Sequence, residues 1–253
     1  MSIKFTILGC GSSVGVPSAN GNWGLCNPKE VKNYRTRCSA LVSKKKTNIL
    51  IDTSPDLRSQ LIKNKIKNIN AVLYTHQHAD QTHGINDLRS FFLSHKKKIP
   101  VFADTLTYNY LLSNFSYCFK GTDSYPSTLN LKIIKKKIEI DEILFNAIPV
   151  QHGNIDSLCY LINNNCAYAS DINLIYKKNL NFFYKLNFLI VDCLRFKPHP
   201  SHYNLDDVLD LIKEIKPNKT ILTNLNSELD YNNLLKFLPK NVIPAFDGLS
   251  FNI

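Results

Sequence analysis

The stretch Thr75-His76-Gln77-His78-Ala79-Asp80-Gln81 decides how this chain is read. Two imidazoles separated by one residue, with a carboxylate two positions further on, crowd metal-competent side chains into one turn. The turn follows the apolar run Ala71-Val72-Leu73-Tyr74, which predicts a buried strand. A strand end is a rigid mount for ligands, and imidazole nitrogen suits zinc, iron, manganese and nickel. The competing reading is a polar loop with two incidental histidines. Histidine is scarce, 7 of 253 residues, so a metal site explains the pairing beside Asp80 better.

Working outward, strand-like runs cover residues 3–8, 39–42, 48–51, 71–74, 100–102, 131–134, 143–150, 158–162, 166–169, 188–192 and 220–222. Helical periodicity fits 55–65, where Pro55 suits a first turn and Leu57, Leu61 and Ile62 share a face. Residues 104–115 are a further candidate. The clearest helix is 204–215: Asn204 caps, Asp206 and Asp207 favour the positive end, and Val208, Leu211 and Ile215 line one side. Strands with helices interspersed, then the pattern repeated, suggest two sheets with helices outside.

Length allows one large domain over residues 1–253. Hydrophobic content of 44% and charged content of 20% are ordinary for a soluble globular protein. Nothing approaches the ~18 consecutive apolar residues of a membrane span, and the first apolar run is too short for a signal peptide. A cytoplasmic protein without membrane contact is expected. The 7 cysteines show no Cys-x-x-Cys pair, which argues against a disulfide framework or a thiolate zinc cage. Cys10, Cys159, Cys166 and Cys193 read as core residues. Net charge is +11, with lysines bunched at 44–46, 96–98 and 135–137. The bunches lack the arginine and aromatic interleaving of nucleic-acid surfaces, so they read first as solvated turns. Steering of an anionic substrate is the alternative.

Several short motifs, taken together, carry a family resemblance. They are Leu8-Gly9-Cys10-Gly11-Ser12-Ser13-Val14-Gly15-Val16-Pro17, Leu50-Ile51-Asp52-Thr53-Ser54-Pro55-Asp56 and the histidine turn, then Gln151-His152-Gly153, Tyr168-Ala169-Ser170-Asp171 and Pro198-His199-Pro200-Ser201-His202, with a closing Pro244-Ala245-Phe246-Asp247-Gly248. The series resembles the metallo-β-lactamase-fold hydrolases, whose mark is His-x-His-x-Asp-His after a strand. Within them it is most similar to the phosphodiesterase branch that includes the phosphoribosyl cyclic phosphodiesterase of phosphonate breakdown. The resemblance implies an α/β (α+β) fold, an αββα sandwich with its metal site at one edge of the sheets. It implies one metal held by His76, His78, His152 and Asp171, and Asp52 as an acid orienting a ligating histidine. From sequence alone, Asp52 reads equally as a turn or capping carboxylate. The branch also places an assisting histidine at His202, which the neighbouring prolines stiffen.

Two positions depart from that pattern. Gln81 and Asn224 stand where histidines would join Asp80 and Asp171 around a second metal. Both changes fall on the same ion, so the resemblance implies one intact and one degraded site, with one tightly bound ion per chain. Zinc or manganese is expected, with iron a further candidate. The Gln and Asn carbonyl oxygens would be harder, weaker donors, better suited to Mn²⁺ or Mg²⁺ than to Zn²⁺.

The reading that follows is a metal-dependent phosphodiesterase acting on a small or cyclic phosphodiester through a metal-bound hydroxide. Asp80, freed from ligation, would take a proton and His202 would give one. The alternatives are a weakened or inactive member with a binding role, and an RNA-processing nuclease. The latter would need a recognition arm and a second histidine-glutamate motif, which the chain lacks. Oligomeric state stays open, a homodimer included. His83 could partly replace a lost imidazole, though a helix start is expected there. His95 and His199 read as surface residues. Trp23 reads as a cleft wall or a loop anchor, and 11–15 as a tight turn.

Overall fold

The strand Thr47–Ile51 is buried on both faces, and its side chains divide between two apolar layers. Ile49 and Ile51 join one cluster and Leu50 another, as the two-residue period of a strand requires. The computed structural model describes residues 2–122 and 124–253 and repeats this division throughout. Among the described residues, one sheet contains β1 (Lys4–Gly9), β2 (Ser39–Lys44), β3 (Thr47–Ile51), β4 (Ala71–Leu73), β5 (Ile99–Ala103) and β6 (Leu129–Ile133), neighbours in space in that order. The other contains β7 (Lys137–Ile140), β8 (Ile143–His152), β9 (Ile155–Ile162), β10 (Cys166–Ala169), β11 (Phe188–Asp192), β12 (Lys219–Thr223) and β13 (Val242–Pro244), also in sequence order. β14 (Ser250–Asn252) then returns to pair antiparallel with β1.

β3 to β6 run parallel, as do β10 to β13, and parallel strands need cover on both faces. Phe5, Ile7, Val42 and Leu73 meet Phe145, Tyr160, Tyr168 and Ile190 between the sheets. Outside the first sheet pack α1 (Leu57–Lys63), α2 (Ala79–Thr82), α3 (Arg89–His95), α4 (Thr105–Asn114) and α5 (Ser116–Phe119), with Leu57, Leu61 and Leu111 reaching its outer apolar layer. Outside the second packs α6 (Leu205–Ile215) through Val208, Leu211 and Ile215. This is the expected αββα sandwich. Asn204 caps α6 by accepting from the Asp206 and Asp207 amides, and Asp207 reciprocates. Such a cap is worth about 1 kcal/mol.

Four local expectations change. α1 begins at Leu57, after Pro55, because Asp56 turns its carboxylate onto Arg37 at 2.7 Å rather than onto the helix. Ile62 is 64% exposed; the buried face is Leu57, Gln60 and Leu61, and Ile62 is rotated past it. β7 lies where lysines suggested only a turn: its edge position favours lysine over continuous apolar residues. His83 follows α2 rather than starting a helix. Each cysteine is buried and unbridged, the four expected in the core among them.

The strand ends set up the site. β3, β4, β8, β10, β11 and β12 deliver Asp52, Thr75 to Asp80, His152, Asp171, Asp192 and Asn224 at or just beyond their C-terminal ends. Leu158 N donates to the Thr75 carbonyl at 2.9 Å, and Tyr160 Oη to that of Tyr74 at 2.6 Å, tying the two sheets together beneath the histidine turn.

Candidate metal centre

His76 Nε2 and His78 Nδ1 lie 3.0 Å apart, and His152 Nε2 is 3.3 Å from the same His78 nitrogen. The far sides of two of these rings show which nitrogen carries hydrogen. Thr75 gives its hydroxyl hydrogen to Asp52 Oδ2 at 2.8 Å, so its oxygen accepts from His76 Nδ1 at 3.0 Å. His152 Nδ1 donates to the Ser201 carbonyl at 2.7 Å. With both Nδ1 hydrogens committed, each Nε2 offers a lone pair to the centre. Burial pushes His76 down to about 3 and lowers His152 as well, so both rings are neutral. Lone pairs crowded this closely call for a cation among them. A tetrahedral ion at ~2.0–2.1 Å from each nitrogen would space them about 3.3 Å apart. The residues present fit one such ion.

Asp52 acts through Thr75. It is fully buried at φ 61°, and its Oδ1 also accepts from Thr75 N at 2.8 Å. It touches no imidazole directly; it sets the hydroxyl that sets His76. Gly153, at φ 62°, has a comparable passive role, because a Cβ there would lie 2.8 Å from Ser201 Cβ and displace the carbonyl that holds His152.

Asp171, His152 and His202 form a second donor set, with ligand atoms within 4.8 Å of one another, and His152 belongs to both sets. Burial opposes the Asp171 charge, but His76, His152 and His202, in their protonated forms at acid pH, hold its carboxyl below the ordinary range. Gln81 Nε2 donates to Asp171 Oδ2 at 3.1 Å, and Asn224 Nδ2 to Oδ1 at 3.3 Å. It is the amide nitrogens that face this carboxylate, because a carboxylate attracts donors and repels acceptors. Asn224 sits at φ 59°, a conformation asparagine tolerates well.

His202 Nδ1 donates to Asp192 Oδ2 at 2.6 Å, and Asp192 also accepts from Ile172 N at 3.1 Å. Burial alone would lower His202, but the Asp192 carboxylate outweighs it and raises the imidazole to about 9. The same burial lifts Asp192 to about 7. From sequence alone, Asp192 reads only as a strand end. Its signal was a lone carboxylate closing the apolar run Phe188-Leu189-Ile190-Val191. Ser201 left no signal at all, because it acts through its backbone.

Asp80 joins neither donor set among the described residues; burial, then the Asp171 charge, raise it to about 6. His83 reaches away to Tyr110 Oη at 3.0 Å, and His95 caps Phe91 O at 2.9 Å. His199, expected at the surface, is half-buried with its ring 5.0 Å from that of His202. Trp23 packs 6.4 Å from the Tyr34 ring as a loop anchor. The glycine-rich turn passes beside the site, where Leu225 N donates to Cys10 O at 2.9 Å.

This architecture and donor set define a metallo-β-lactamase-fold hydrolase. The chain belongs to that family: the model of the beta-lactamase superfamily domain matches residues 47–223. A solved structure described as a new diphosphatase from the PhnP family is 30% identical, covering 100% of this chain and 98% of that one with a TM-score of 0.93. Zinc-bound PqqB from Methylobacterium extorquens is 16% identical over 99% of this chain and 100% of that one, TM-score 0.80, and human tRNase Z, short form, is 13% identical over 98% of each, TM-score 0.68; both share the fold. The octanoyltransferase of Porphyromonas gingivalis is 28% identical over 98% of this chain and 51% of that protein. The chain thus spans about half the length of that curated relative. Among the described residues, no helix is long and apolar enough to cross a membrane.

Proposed function

We propose that this chain hydrolyses phosphodiesters, small or cyclic, with one divalent ion, zinc or manganese, held by His76, His78, His152 and Asp171. The observation that carries the reading is the convergence of imidazole nitrogens at 3.0 and 3.3 Å, with the His76 and His152 lone pairs turned inward by Thr75 and Ser201. When bound, such an ion polarises the phosphoryl group and acidifies water. Thr75 and Ser201 keep the imidazoles aimed, Asp80 receives a proton from the attacking water, and His202 gives one to the departing oxygen while Asp192 holds its ring.

The likeness to half of an octanoyltransferase raises octanoyl transfer as a second reading, for which an octanoyl thioester serves as the probe. The His202–Asp192 pair favours oxygen esters instead. A thiol has a pKa of about 8.5 and departs as thiolate with little help, whereas an alkoxide needs the proton His202 carries. Similarity to a PhnP-family diphosphatase supports phosphorus as the centre attacked.

The test loads the purified chain with zinc or manganese and offers four substrates. These are a cyclic phosphodiester, a linear diester, a diester of diphosphoric acid and an octanoyl thioester. Turnover of a phosphodiester above the other two classes supports the reading. Preference for the thioester, or no turnover with an ion demonstrably bound, overturns it.

A further inference from the structure

Asp171 is a buried carboxylate whose two oxygens each meet an amide hydrogen, from Gln81 at 3.1 Å and Asn224 at 3.3 Å. Both amides are themselves buried, Gln81 in the single turn of α2 and Asn224 just past β12. Asn224 Nδ2 also lies 3.2 Å from His202 Nδ1, so one amide adjoins both the acid and the carboxylate. Gln81 Oε1 is left over: it is buried and accepts from no described residue. A buried amide ordinarily satisfies both ends. This one is held by its nitrogen, and its oxygen is free for a donor that arrives with the reaction.

We propose that Gln81 and Asn224 form a neutral clamp that does for Asp171 what a second cation would do, and that Gln81 Oε1 accepts a hydrogen bond from the attacking water. The proposal rests on the one-ion reading above. Two N–H dipoles offset less charge than an ion, but they are built in, so Asp171 stays oriented before any metal arrives. Asn224 and Gln81 are then positioning residues for a ligand, and Gln81 has a second task toward the nucleophile.

Isosteric swaps test the clamp. Gln81→Glu and Asn224→Asp keep shape while turning each donor into an acceptor. With Asp80 and Asp171 they create an oxygen-rich set that suits a hard cation such as Mn²⁺. After exposure to excess Mn²⁺ and desalting, the wild type should keep one ion and the double variant two. Metal-free, each single variant should melt several degrees below the wild type, because like charges then face each other without an ion between them. Gln81→Met, lacking both donor and acceptor, should lower kcat ~10-fold or more with KM little changed. Two ions retained by the wild type would overturn the one-ion reading. One ion in both proteins with equal melting would overturn the clamp alone. An unchanged kcat in Gln81→Met would overturn the water contact while leaving the clamp standing.

Discussion

His202 and Asp192 share a hydrogen across 2.6 Å, and Asp192 is fixed in turn by the Ile172 amide at 3.1 Å. Committing Nδ1 to this contact leaves Nε2–H as the proton His202 can give. His202→Ala should therefore lower turnover ~10²-fold or more with ion content unchanged. The loss should shrink for diesters with nitrophenolate leaving groups, which need little protonation. Asp192→Asn should lower kcat with KM preserved. Equal losses for good and poor leaving groups would assign His202 to binding instead.

Metal removal should cost stability as well as activity. An ion present at ~1,000 times its dissociation constant contributes about 4 kcal/mol to the folded state, which in a chain of this size is a midpoint shift of about 10 °C. Calorimetry before and after chelation, alongside elemental analysis giving one ion per chain, checks this. A midpoint indifferent to chelation would show that the imidazole cluster folds without needing its cation.

Thr75→Val keeps shape and removes the hydroxyl between Asp52 and His76. His76 would then be free to exchange tautomers, and ion affinity should fall ~10–100-fold, as for other groups that orient a ligand. Competition with a chromophoric chelator measures it. Undiminished affinity would mean that packing alone sets the ring.

Asp247 gives a pH dependence away from the metal. Its Oδ2 accepts from Thr36 N at 2.8 Å and Thr36 Oγ1 at 2.6 Å, yet burial outweighs these contacts and raises the carboxyl to about 6. The folded chain holds this proton more tightly than the unfolded one. The group's effect on stability is thus most favourable below the unfolded value near 4, and worsens as pH rises from there to 6. The swing is about 3 kcal/mol. Asp247→Asn should flatten that part of the stability curve relative to wild type, measured by denaturant unfolding of metal-free protein between pH 4 and 7. Parallel curves would show that Asp247 titrates normally.

Several features were legible in the sequence because their causes are local. His76 and His78 stand two apart after an apolar run, so a strand end had to bring both into one turn. Alternating burial in β3 and the reciprocal cap between Asn204 and Asp207 likewise involve residues within a few positions of each other. Motif resemblance extended this to the sandwich and to His152, Asp171 and His202.

Tertiary structure alone decided how the site is supported. His152 takes its orientation from a carbonyl 49 residues away, and Asp171 takes its amide donors from 90 and 53 residues away. Such contacts exist only because β4, β8, β10 and β12 all end along one edge of the sandwich, bringing together turns that no periodicity links. The same cause turned the Gln81 and Asn224 nitrogens, rather than their oxygens, toward Asp171: once that carboxylate is buried between them, its charge selects donors. Residue type made those positions conspicuous, and the neighbouring carboxylate determined what they do.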